Sequence, residues 1–168
     1  TVIGIIPGSL AHRFIDRANL AEDFDKKNSL SQLWLVTGDR QLKDHECPQL
    51  KSSEERTESQ CLSELARYFT ARTSIMVESI NATIHNEGYH KTRATTVDNA
   101  IEFAEMILKN PTEYENKAFV LFIEPPFSRG IAGIFKIVFE HYGIDNPVHV
   151  YSGKLDPSAI TPKFVASA

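Results

Sequence analysis

Acidic side chains stand at positions where an α/β chain presents its chemistry. Glu58 falls four residues before Leu62, on a stripe 58, 62, 65, 69 that is otherwise apolar. A carboxylate on the inward stripe of a helix is costly unless it is paired or used. Glu78 directly follows the apolar run Ile75-Met76-Val77, and Asp39 and Glu124 close two other apolar runs in the same way. Several acids converging on one edge would suit general acid–base work, or would hold a hard divalent cation through oxygen. The plainer alternatives are a helix start that satisfies the dipole at Glu58 and a solvated strand exit at Glu78. Arg13 and Arg129 are the cations near these acids, and guanidinium groups suit bidentate contact with carboxylate or phosphate. An ordinary surface ion pair is the alternative for either one. Gly8-Ser9, ahead of a helical pattern, offers backbone N–H groups to an anion, although turns use these residues anyway.

The stretch TTVDNAIEFAEMILKN, residues 95–110, adds a polar pair. Thr95 is a good N-cap and Asp98 stands three residues later, close to a capping box and at the positive end of the helix dipole. Asp98, Glu102, Glu105 and Lys109 form a charged stripe, while Val97, Ala100, Ile101, Ala104, Ile107 and Leu108 are expected to face a sheet. Asn99 sits on the flank beside Phe103 and Met106. It is either a neutral flank residue or, with Thr96, a ligand-facing pair offering an amide and a hydroxyl.

The elements that must position these residues follow from hydrophobic period. Short apolar runs at 2–6, 33–36, 75–77, 118–123 and 148–150 read as buried strands. Helical patterns lie between them: one from Leu10 with Phe14, Ala18, Ala21 and Phe24 on a face, one over about 54–71, the stretch 95–110, and one over 131–142. The stretches to about 53 and over 79–94 read as polar loops, and the tail from about 152 as irregular. Strands alternating with helices predict a three-layer, Rossmann-like α/β domain: a mostly parallel sheet of about five strands, with helices on both faces, in a single unit over 1–168. Ligands of such sheets sit outside the carboxyl ends of the strands at the topological switch point. That rule selects Gly8-Ser9, Thr37-Gly38-Asp39, Glu78, residues 124–129 and the first turn of each following helix.

Composition narrows the function. The formal net charge is −4 and the basic residues are not clustered, which disfavours nucleic acid. The two cysteines, Cys47 and Cys61, make no disulfide framework. No apolar run approaches the roughly 20 residues needed to span a bilayer. P-loop, dinucleotide and nucleophile-elbow signatures are absent, Asp44-His45-Glu46-Cys47 lacks a second ligand pair at zinc spacing, and the six histidines show no paired spacing.

The ordered set Ile5-Ile6-Pro7-Gly8, Arg13, Val36-Thr37-Gly38-Asp39, Thr57-Glu58, Glu78, Thr95-Thr96-Val97-Asp98-Asn99-Ala100 and 124–129 resembles the YdcF-like/SanA-like family, from Val2 to about Val150. The chain departs from that pattern in the dozen extra residues between Glu78 and Thr95, in Gln60, and in Ser128 where the family usually has His. The resemblance implies a Rossmann-like domain taking a small anionic or nucleotide-like ligand, and some relatives serve the bacterial cell envelope. In that reading Glu58 and Glu78 are acid/base groups or metal ligands. Arg13 and Arg129 hold the anion, Thr96 and Asn99 orient the ligand, and Gly8, Ser9, Thr37, Gly38, Asp39 and Ser128 line the pocket. Cofactor, metal and oligomeric state are left open. A non-catalytic binding module, and an interaction scaffold using 79–94, are the alternatives to an enzyme. A cytoplasmic location is expected, or else a soluble domain of an envelope-anchored protein.

Overall fold

Five parallel strands lie in the order β3-β2-β1-β4-β5. A computed structural model describes residues 2–8, 11–38, 42–47, 57–70, 76–82 and 96–153. In chain order the elements are β1 (Val2–Pro7), α1 (Ala11–Asn28), β2 (Gln32–Gly38), a 3₁₀ turn (Asp44–Glu46), α2 (Glu58–Thr70), β3 (Met76–Ala82), α3 (Thr96–Lys109), α4 (Pro111–Tyr114), β4 (Ala118–Phe122), α5 (Ser128–His141) and β5 (Val148–Tyr151). This is the three-layer, Rossmann-like α/β architecture expected from the alternating runs.

Central strands buried on both faces need apolar residues in both parities. β1 supplies them: Ile6 joins the core under α1 and α2, whereas Ile3 and Ile5 join the core under α3 and α5. Gly4 has no room for a side chain, because a Cβ there would stand 2.6 Å from Phe122 Cε2 and 2.9 Å from Leu33 Cδ1. Rings knit each layer, with Phe24 edge-on to Phe122 and Tyr151 on one face and Phe103 edge-on to Phe119 on the other. The chain adds β2 and β3 to one side of β1, then returns to add β4 and β5 to the other. The switch point therefore lies between the carboxyl ends of β1 and β4.

Several local expectations need correction. β3 continues to Ala82 rather than ending at Glu78, since each residue from Met76 to Ala82 is in register with β2 from Gln32 to Gly38. As an edge strand it tolerates the polar residues that end its apolar run. Residues 79–82 are thus strand and not loop. α3 is rotated relative to its expected face: Asp98, Asn99 and Phe103 are buried, while Val97 and Leu108 are exposed. The large ring of Phe103 takes the centre of the interface, and its neighbours one turn back go inward with it. α5 begins three residues before the expected start, and α4 carries Pro111 as its first residue. Cys47 and Cys61 are joined by a disulfide, a pairing that a count of two cysteines did not suggest. The tail beyond Gly153 lies outside the described residues.

His149, on β5, is almost wholly buried, and burial holds its pKa down at about 4 against an ordinary 6.5. The unfolded chain therefore binds the extra proton first, so this residue's contribution is fully present above pH 6.5 and is lost as pH falls from 6.5 towards 4. The expected slope is at most about 1.4 kcal/mol per pH unit in that window. Urea unfolding at pH 7, 5.5 and 4.5 checks it: the His149→Phe variant should show a flatter pH dependence, so that the wild-type-minus-variant difference falls as pH falls through this window.

Candidate functional site

Three sets of side chains meet around the carboxyl ends of β1, β2 and β4. The first joins Gly8, Thr37 and Glu58. β2 ends at Thr37-Gly38 and α2 begins at Glu58, so the carboxylate comes from a helix start while the hydroxyl comes from a strand end. The Thr37 hydroxyl donates to Glu58 Oε1 at 2.9 Å. Gly8 closes the set from β1, its N–H donating to the Val36 carbonyl at 2.7 Å. A Cβ on Gly8 would stand 2.2 Å from Glu58 Oε1, so the absence of a side chain is what admits the carboxylate. Glu58 is half-buried at the helix start, where its charge also meets the helix dipole.

The second set is an ion pair that the sequence reading passed over. Arg17 is 1% exposed. Its Nε donates to Glu124 Oε2 at 2.7 Å, its Nη2 to Glu124 Oε1 at 3.1 Å, and its Nη1 to the Pro7 carbonyl at 2.8 Å. One guanidinium thus ties the end of β1 to Glu124, two residues beyond β4, across the switch point. A signal was available: Arg17 lies three residues after Phe14 and four before Ala21, on the inward stripe of α1. Arg13, one turn earlier, is the more exposed of the two arginines.

The third set joins the first turn of α1 to the loop that enters α5. Arg13 lies over the ring of Phe127, 4.1 Å from its centroid, in a cation–π contact. Phe127 precedes α5 and is 38% exposed, a large ring left open at this edge. Ser128 is buried beside it and Arg129 is exposed. The loop into α5 carries a cis bond between Pro125 and Pro126.

On the face of the sheet opposite α1 and α2, α3 starts at Thr96, which is half-buried. Asn99 is 6% exposed, and its Oδ1 has no hydrogen-bond partner among the described residues. Gly38 ends β2 and is buried. Ser9 and Asp39 lie outside the described residues.

Glu78 is the site residue that the structure moves elsewhere. It is exposed and in register with Trp34, whereas Thr37 is in register with Asn81. Three residues of strand, roughly 10 Å, separate it from the Thr37 level. It stands near Tyr114, whose phenol is pushed up to about 12 by burial first, with smaller contributions from the charges of Glu113 and Glu78. Glu78 therefore stands apart from the Thr37–Glu58 contact. Among the described residues no three His, Cys, Asp or Glu side chains gather as a metal site would require.

At the opposite, amino-terminal edge an open groove of about 860 Å³ is lined by residues including Val2, Leu108, Tyr114, Ile144 and Pro147. No candidate site residue from the sequence lines it. Its polar groups are engaged locally: Asn146 Nδ2 donates to the Tyr114 and Lys117 carbonyls, and Lys117 stands over the Tyr114 ring. The chemistry-bearing groups are on the other edge.

Fold and geometry together define a doubly wound α/β domain with polar and charged side chains gathered at the carboxyl edge of its sheet. Compared with family models, curated proteins and solved structures, the chain matches none of them. No helix among the described residues is long and apolar enough to cross a membrane.

Proposed function

We propose that this chain binds a small anionic or nucleotide-like ligand at the carboxyl ends of its strands, as its resemblance to the YdcF-like/SanA-like domains implies. In this reading Glu58 serves as the acid/base or metal-ligating group. The observation that carries it is the Gly8–Thr37–Glu58 contact, in which a half-buried carboxylate is held by a hydroxyl against a glycine with no space for a Cβ. Proteins seldom bring a carboxylate inward at the ligand-binding edge of a parallel sheet without a use for it. Arg17 is held by Glu124 and the Pro7 carbonyl, and the resemblance assigns Arg13 and Arg129 to the anion. Phe127 gives a planar ligand a face to stack on once Arg13 turns towards the anion. Asn99 offers an acceptor to a donor group of the ligand.

Thermal-shift screening of wild type and Glu58→Gln against nucleotides, S-adenosyl compounds, sugar phosphates and divalent cations tests this. A ligand at 100 times its Kd adds about 2.7 kcal/mol, and the shift should be lost in Glu58→Gln. A hit retained unchanged by that variant would remove Glu58 from the site. Turnover of the hit separates an enzyme from a binding module.

A further inference from the structure

We propose that the Cys47–Cys61 disulfide is the covalent clamp that holds Glu58 in the crevice, and that the chain matures where protein thiols are oxidised. Both cysteines are buried, at 0% and 1% exposure, and both belong to the core beneath α1 and α2. Cys61 lies one turn after Glu58, and its N–H donates to the Thr57 carbonyl at 3.0 Å, closing the first turn of α2. Cys47 directly follows the 3₁₀ turn Asp44–Glu46, downstream of β2. The bond therefore bypasses a sequence separation of 14 within the path that joins Thr37 to Glu58. Without it, the start of α2 is tethered to β2 through the whole connection, and the entropy of that longer segment works against the Thr37–Glu58 contact.

Burial argues for a structural cross-link and against an exchanging one, because thiol–disulfide exchange requires a thiolate to reach the sulfur. A reducing cytosol keeps such thiols unpaired, and disulfides persist in oxidising compartments. On formation the two thiols lose two protons and two electrons to the disulfide of a thiol oxidoreductase, which becomes its dithiol. This favours the envelope-side location over the cytoplasmic one, and it does not depend on what the crevice binds.

The full chain exported to a bacterial periplasm should be about 2 Da lighter before reduction than after, and should take up no iodoacetamide when denatured. Two alkylated cysteines in that exported protein would overturn the proposal. The second measurement compares oxidised protein with protein reduced under graded dithiothreitol, so that no substitution has to fold. Reduction should lower Tm by about 10 °C and should shift the backbone amide signals of Thr37 and Glu58. A lower Tm with those two signals unmoved would overturn the clamp while leaving a plain stabilising cross-link. Cys47→Ser/Cys61→Ser should reproduce the reduced spectrum.

Discussion

Replacing Arg17 by Met should cost about 3 kcal/mol of stability, the largest loss expected from any single polar residue here. The methionine retains much of the stem volume but removes the guanidinium. Glu124 then keeps its charge with a side chain only 18% exposed, and the Pro7 carbonyl loses its donor. Breaking a buried pair from one side costs more than the pair contributes, because an uncompensated charge remains in a poorly solvated place. For a domain of this size the loss corresponds to a fall in Tm of roughly 6–12 °C. Arg17→Met/Glu124→Leu should recover most of it, so that the double-mutant cycle shows strong coupling. Urea unfolding of the four proteins measures the cycle. A cost below about 1 kcal/mol for Arg17→Met would place the pair with exposed salt bridges and show that it does not brace the switch point.

Gly8→Ala should be the most damaging single change to the crevice. The added Cβ would meet Glu58 Oε1 at 2.2 Å, Thr37 Oγ1 at 2.8 Å and the Thr37 Cα at 3.0 Å. The backbone of Thr37 is fixed by its pairing with Asn81 of β3, whereas the carboxylate is the far end of a flexible side chain. Glu58 is therefore the group that leaves. The stability cost should be about 1–3 kcal/mol, as for other overpacked positions. The binding cost should be larger, on the order of 100-fold in Kd or about 2.8 kcal/mol, for any ligand whose thermal shift depends on Glu58. Gly8→Ala/Glu58→Ala should be no less stable than Glu58→Ala alone, because the clash partner is gone. Titration calorimetry on the hit from the screen, with urea unfolding of the same variants, distinguishes the two costs. A Gly8→Ala protein that binds as wild type would show that the carboxylate is not held where a ligand meets it.

Sequence and structure agree where the argument rests on burial of whole elements. Continuous apolar runs at β1, β2, β4 and β5 can only be strands covered on both faces, and their alternation with amphipathic stretches leaves a parallel sheet as the way to bury them. The carboxyl edge of the strands follows from that topology, which is why Gly8, Thr37 and Glu58, which the structure brings into contact, could be placed together before any coordinates. Each was visible through its type and its place relative to an apolar run.

What the sequence could not reveal depends on contacts between distant segments. Arg17 and Glu124 are 107 residues apart, and neither is unusual alone; only their approach across the switch point turns a helix arginine into a buried brace. Glu78 looked like a strand end because hydrophobicity ends there, but the ladder with β2 carries the strand onward through backbone hydrogen bonds that ignore side-chain polarity. Asp98 looked solvated because a helix has two plausible apolar arcs when Val97, Leu108 and Phe103 compete, and packing against α5 and the sheet chose the one centred on Phe103. The pairing of Cys47 with Cys61 likewise required α2 to fold against the connection that follows β2. By itself the sequence determined the layers and the parallel alternation of strands and helices, because these follow from local period and burial. The tertiary structure alone decided which acids are locked, which is held by Thr37, and which lies on the far part of an edge strand, because those outcomes rest on register and long-range approach.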